Sequence, residues 1–332
     1  MRSPARLGPG AGEGRPGAPL RGPRGAARGG GGLARPQGDE LLVRVAASSI
    51  NATDLALRSG GLGPLAARQL PLTVGFDVCG EVVACGPRVT AFRPGEWVYA
   101  LLGLRAGGSA EYVTVRQGRA ARAPATVSAV QAAAVPLAGL TALQALRAQG
   151  GLQPHSTGPQ PRVLVYGAAG GIGSFAVGLA RVLGAHVTGV ARSEKHAFVQ
   201  ALGADEVLAP ADLDWTQAGP WDVVLDTPPA LSFAAVRPAL GPRGVLVSTR
   251  PLPTRLGDAA AMLPRRGPHP RLATIHTAER GLDLAFLARL IDSGELPVPV
   301  DRVFPLQDIA AAHRYAEGDE VRGKVVVAVA ED

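Results

Sequence analysis

The sequence predicts an α/β protein: a doubly wound parallel sheet flanked, earlier and later in the chain, by β-rich segments. Three observations carry that reading. From Arg162 onward short apolar runs alternate with helical stretches, as in VLVYG, IGSFAVGLARVLG, HVTGVA and WDVVLDT. Those runs are continuous rather than alternating, as expected of parallel strands covered on both faces. Before Pro124 and after Glu295 the texture is different, with short strands punctuated by glycine. At 332 residues the chain is long enough for two domains with real cores.

Taken in order, residues 1–38 hold twelve Gly and six Pro without apolar periodicity, and they are expected to be a disordered or aberrant head. GC-rich DNA read out of frame yields this Arg, Gly, Ala and Pro composition. The head lacks the apolar stretch of a secretory signal, and its Gly and Pro density argues against the amphipathic helix of a transit peptide. LLVRVAASSI (41–50) reads as a strand, NATDLALRSG as a polar turn, and TVGFDVCGEVVACG, GEWVYALLG and EYVTV as further strands of a small barrel. SAVQAAAVPLAGLTALQALRAQG is an Ala-rich helical stretch interrupted by Pro136; its Gln131, Thr141 and Gln144 would be unsatisfied in lipid, so it is not a membrane span. After the βαβ region, a strand near Leu272–His276 and a helix near 282–292, the tail VDRVFPL and GKVVVAV returns to β texture. The boundaries expected are therefore 39–124 and 296–332 for one β-rich domain and 125–295 for the cofactor-binding domain between them.

The formal charge is +7, but the first 38 residues carry +6 of it, so the body is nearly neutral and no nucleic-acid partner is expected. Two cysteines, Cys79 and Cys85, supply neither a disulfide framework nor a four-Cys zinc site, and point to a reducing compartment, the cytoplasm. His269 and His276 lack a Cys or acid partner at ligand spacing and are read as non-ligands. Asp54 and Arg58, four apart, read as a local ion pair, and Asp77 as a structural acceptor. Tyr99 and Tyr112 read as core aromatics. The chain contains one asparagine, Asn51, and two lysines, Lys195 and Lys324, against a background rich in Ala, Arg, Gly and Pro.

VLVYG runs directly into Gly167-Ala-Ala-Gly170-Gly171-Ile172-Gly173 and then a helix. Glycines at a strand-to-helix turn let backbone N–H groups approach a pyrophosphate, where the helix N-terminus adds partial positive charge. A second strand follows about 20 residues on, which completes the dinucleotide-binding context. At its end, where an acid selects NAD and cations select NADP, stand Arg192, Ser193 and Lys195, with Glu194 as counterevidence. The cofactor expected is NADPH.

These residues resemble the zinc-free quinone oxidoreductase, or zeta-crystallin-like, branch of the medium-chain dehydrogenase/reductases. The resemblance covers about residues 39–332 and runs through ELLVRVAASSINATDLALRSG, PLTVGFDVCGEVVACG, AAAVPLAGLTALQAL, VLVYGAAGGIGSFAVGLA, LGADEVL, DVVLDT and VDRVFPL followed by RGKVVV. It implies a GroES-like catalytic domain made from both ends of the chain, with a Rossmann domain inserted. Zinc-dependent relatives have Cys at the position of Asn51 and Gly-His-Glu at Gly75-Phe76-Asp77, so the resemblance implies chemistry without a metal. It also implies that Asn51 faces the nicotinamide and substrate, that Thr141 contacts the cofactor, that Lys195 meets the 2′-phosphate and that Lys324 borders the cofactor. Relatives carry a Tyr where this chain has Pro210, and begin with strands that residues 1–38 do not contain.

With no metal and no nucleophile triad in view, hydride transfer to a quinone or α,β-unsaturated carbonyl is the activity implied, with Asn51 as the principal polar group at the reaction centre. A different class of reading is a non-catalytic NADPH-binding sensor or scaffold. Relatives imply a homo-oligomer, a dimer or tetramer.

Overall fold

The computed structural model describes residues 35–60, 73–103, 106–153, 158–250, 258, 261–262 and 267–329. The expectation of a disordered head therefore lies outside the described residues except at 35–38, as does that of missing opening strands. That short stretch is already held: the Gly38 carbonyl accepts from Arg88 N–H at 2.8 Å.

Two sheets organise the described residues. The first has seven strands, β1 (Glu40–Ile50), β2 (Asp77–Cys85), β3 (Trp97–Leu101), β4 (Tyr112–Arg116), β5 (Ala120–Arg122), β12 (Val300–Pro305) and β13 (Lys324–Ala328). They run in the order β12-β13-β1-β2-β3-β5, with β4 also on β1. The C-terminal strand thus lies antiparallel against the first one, pairing Ile50 with Val325. The second sheet holds β6 (Arg162–Tyr166), β7 (His186–Val190), β8 (Glu206–Leu208), β9 (Trp221–Asp226), β10 (Leu240–Ser248) and β11 (Arg271–Thr274). Its order is β11-β10-β9-β6-β7-β8, parallel throughout. Chain direction across the sheet reverses between β6 and β9, and ligands bind outside the carboxyl ends of strands at such a point.

NATDLALRSG, expected as a polar turn, instead contains helix α1 (Ala52–Arg58), which Asn51 caps from an extended conformation. The Ala-rich stretch divides at Pro136. Helix α2 (Ala129–Ala133) ends before it, and α3 (Pro136–Gln144) begins on it, where proline loses no helical hydrogen bond. Among the residues of α3 only Leu137 is not buried, because it packs against β2, β3, α4 (Gly171–Val182) and α7 (Gly281–Asp292). A helix covered all round needs no charged face, and this explains the apolar stretch without a membrane. No helix among the described residues is long and apolar enough to cross one. After α4 come the shorter helices α5 (His196–Ala201) and α6 (Phe233–Val236); α8 (Ile309–Ala316) leads into β13.

Tyr99 is fully buried, and its hydroxyl donates to the Leu284 carbonyl of α7 at 2.6 Å, tying β3 to that helix. Tyr99→Phe is expected to lower stability by about 1 kcal/mol and the Tm by about 1–3 °C. Scanning calorimetry checks this, and an unchanged Tm would mean the hydroxyl contributes nothing net.

Candidate functional site

A cleft of about 500 Å³ opens at the reversal point of the parallel sheet. Its walls come from both sheets: Tyr166, Gly167, Val190, Thr227 and Pro228 from one, Asn51 and Lys324 from the other. At its floor the glycine turn is set by contact distances. Gly167 has φ +80°, and a Cβ on Gly173 would lie 2.1 Å from the Gly167 carbonyl oxygen, so both positions require glycine. Gly170 caps α4, a twelve-residue helix whose first N–H groups have no intrahelical acceptor.

Opposite the turn is a buried polar cluster. Asp77 is fully buried on β2 and accepts from Ser49 Oγ at 2.6 Å, Asn51 Nδ2 at 2.8 Å and the Leu137 backbone N–H at 2.8 Å. Lys324 opens β13 with 2% exposure; its Nζ donates to the Ile50 carbonyl at 3.1 Å and to Asn51 Oδ1, and stands 3.8 Å from Asp77. Asp54 turns inward from α1, accepting from Gly75 N–H at 2.8 Å and Asn51 N–H at 3.0 Å. This corrects the expected Asp54–Arg58 pair. Arg58 reaches Glu317 beyond α8 instead, because two backbone donors hold the Asp54 side chain inside. Burial pushes Asp54 up to about 7, with Asp77 adding to the shift and the backbone donors and Lys324 opposing it. Burial also presses Lys324 down, against the pull of Asp77 and Asp54.

Asn51 is thus engaged at both ends of its amide. Nδ2 donates to Asp77, and Oδ1 accepts from Lys324. Both ends of its amide therefore have partners inside the cluster, while the residue also lines the cleft. The one basic side chain in the cluster is Lys324.

At the far end of the cleft Arg192 and Lys195 flank the turn after β7. Lys195 Nζ donates to the carbonyls of Asp319 at 2.6 Å and Val321 at 2.8 Å, and Arg192 pairs with the Asp319 carboxylate at 2.6 Å and Glu194 at 3.9 Å. Of the residues singled out from sequence, Asn51, Gly167, Gly170, Gly171, Ile172, Arg192, Lys195 and Lys324 line the cleft. Three do not. Gly173 lies beneath the turn; Ser193 is exposed at the start of a 3₁₀ turn, Ser193–Lys195; the Thr141 hydroxyl donates to Leu137 O at 2.7 Å and shares a hydrogen bond with Thr277 at 2.6 Å. Asp54 and Asp319 were missed. Asp54 has a sequence signal, as the third helical residue after a cap-forming Asn; Asp319 has none.

The glycine cradle, helix N-terminus and terminal cations fit a dinucleotide. They do not fit zinc, which takes thiolate, imidazole and carboxylate ligands. The polar cluster offers one amide and two carboxylates already committed to donors, around a lysine ammonium, and among the described residues no group of three or more His, Cys, Asp and Glu could hold a metal.

Two family models match the chain: an alcohol dehydrogenase GroES-like domain over residues 37–125 and a zinc-binding dehydrogenase over 202–327. The chain is 33% identical to a chloroplastic quinone oxidoreductase of Triphysaria versicolor, over 87% of this chain and 89% of that one. It is 31% identical to a mitochondrial NAD(P)H oxidoreductase of Mus musculus, over 88% and 82%. The structure of the quinone oxidoreductase from Coxiella burnetii superposes with a TM-score of 0.77 at 29% identity, covering 90% of this chain and 92% of that one.

Asp54 holds its proton more tightly folded than unfolded, so its contribution to stability is complete below about pH 4 and is lost as pH rises through about 7. Asp54→Asn removes that dependence. Relative to the variant, the wild-type Tm is expected to fall between pH 4 and 8; parallel Tm profiles would show that Asp54 titrates normally.

Proposed function

Because the chain belongs to the quinone oxidoreductase branch of the medium-chain dehydrogenase/reductases and is an oxidoreductase with a nicotinamide cofactor, we propose that it uses NADPH to reduce a quinone or α,β-unsaturated carbonyl without a metal. The observation that carries this reading is the buried Lys324 side chain, in the wall of the same cleft as the glycine cradle. When bound, the reduced nicotinamide supplies the hydride. The chain's residues supply position, dryness and charge. Gly167, Gly170 and Gly171, at the N-terminus of α4, take the pyrophosphate, while Arg192 and Lys195 take the 2′-phosphate.

Negative charge develops on the substrate oxygen as it is reduced, and a preoriented cation in a water-excluded site stabilises that charge far more than water does. Lys324 has three N–H donors. Two are spent on Ile50 O and Asn51 Oδ1, which fix its direction; the third meets the substrate oxygen, in competition with Asp77 at 3.8 Å. Asn51 acts as a positioning residue, and Asp77 anchors Asn51. The Lys324→Met side chain keeps the volume and loses the charge, so kcat for quinone or enone reduction is expected to fall about 10²- to 10³-fold with NADPH affinity changed less than about threefold. Undiminished kcat overturns the Lys324 role, and no NADPH consumption by wild type with any quinone or enone overturns the enzymatic reading.

Replacing Arg192 and Lys195 together with Ala is expected to weaken NADPH about ten- to a hundredfold and leave NADH nearly unchanged, the lower end of what two charge-assisted bonds supply. Pro210 in the cleft wall offers no hydroxyl to share the phosphate, and both cations already have partners. Fluorescence titration of each cofactor checks this; equal losses overturn the 2′-phosphate assignment.

A further inference from the structure

Between α8 and β13 the chain runs along the rim of the cleft, where Gly318, Asp319, Val321 and Gly323 form part of the lining. It is held at three points. Gly323 N–H donates to the Ala169 carbonyl of the glycine turn at 2.9 Å, Lys195 Nζ reaches the carbonyls of Asp319 and Val321, and Arg192 takes the Asp319 carboxylate. The two cations are held in unlike ways. Lys195 is met by neutral oxygens and has three donors with two in use, so it is oriented and has a donor left for a phosphate. Arg192 is met by an anion.

We propose that Asp319 is a specificity-determining residue for the adenosine end of the cofactor: its carboxylate competes with the 2′-phosphate for Arg192 and holds the preference for the phosphorylated cofactor below what the two cations alone would give. The proposal rests on the 2′-phosphate reading of Arg192 and Lys195. A dianion and a carboxylate on the same guanidinium repel, so one must leave. The Asp319 side chain is 83% exposed and free to swing out. What it loses is the exposed ion pair, and what remains against the phosphate is screened repulsion at close range.

Calorimetric titration of the full chain with adenosine 2′,5′-bisphosphate and with 5′-AMP tests this in wild type, Asp319→Asn, Arg192→Ala and the double variant. Asp319→Asn is expected to tighten the bisphosphate about three- to fivefold and to leave 5′-AMP within about twofold, with the gain abolished when Arg192 is also Ala. Bisphosphate affinity unchanged in Asp319→Asn but weakened in Arg192→Ala overturns the proposal and leaves the 2′-phosphate site standing. A gain that persists without Arg192 also overturns it, because repulsion then acts without competition. Bisphosphate binding indifferent to both substitutions overturns the underlying reading as well.

Discussion

A buried ammonium is the constraint on which the rest of this structure depends. Lys324 is 2% exposed, and moving such an ion from water into the interior costs several kcal/mol after relaxation unless partners are in place. The partners come from elements far apart in sequence: Ile50 O and Asn51 Oδ1 at the end of β1, Asp77 at the start of β2. The C-terminal strand must therefore lie beside β1 in one register, with Ile50 opposite Val325. A slip of one residue would turn Lys324 to the other face of the sheet. Beside it, Gly323 hydrogen bonds to Ala169, so the same turn of chain that seats the ammonium also ties the first sheet to the phosphate cradle of the second.

That coupling makes the segment before β13 a participant at both ends of the cleft. Its last residues fix Lys324 and the glycine turn; its earlier ones, Asp319 and Val321, occupy Lys195 and Arg192. Residues contributed by the end of the chain thus complete a site whose cradle lies near its middle.

Much of this was legible in sequence, for a physical reason in each case. Parallel strands covered on both faces read as continuous apolar runs, and VLVYG followed by spaced glycines reads as a strand-to-helix glycine turn, which the structure has between β6 and α4. Asn51, Lys195 and Lys324 stood out because the composition otherwise excludes their types, and all three line the cleft. What stayed hidden depends on side-chain direction or on distant neighbours. Thr141 sits on a helix near the cleft, yet its hydroxyl returns to Leu137 O and Thr277. Asp54 obeyed the spacing of a local ion pair, but its side chain turns inward to accept from two backbone N–H groups. Asp319 lies between elements where no periodicity exists to single it out.

The two acidic side chains near Lys324 are not equivalent, and geometry sets the difference. Asp77 accepts three donors and stands 3.8 Å from the lysine Nζ. Asp54 accepts two backbone N–H groups, and burial pushes its carboxyl up to about 7. On the proposed reading, in which Lys324 faces an oxygen that gains negative charge, an ionised Asp54 adds negative charge close to that lysine and a protonated one does not. In that reading Asp54 acts without touching substrate, through the charge around the lysine.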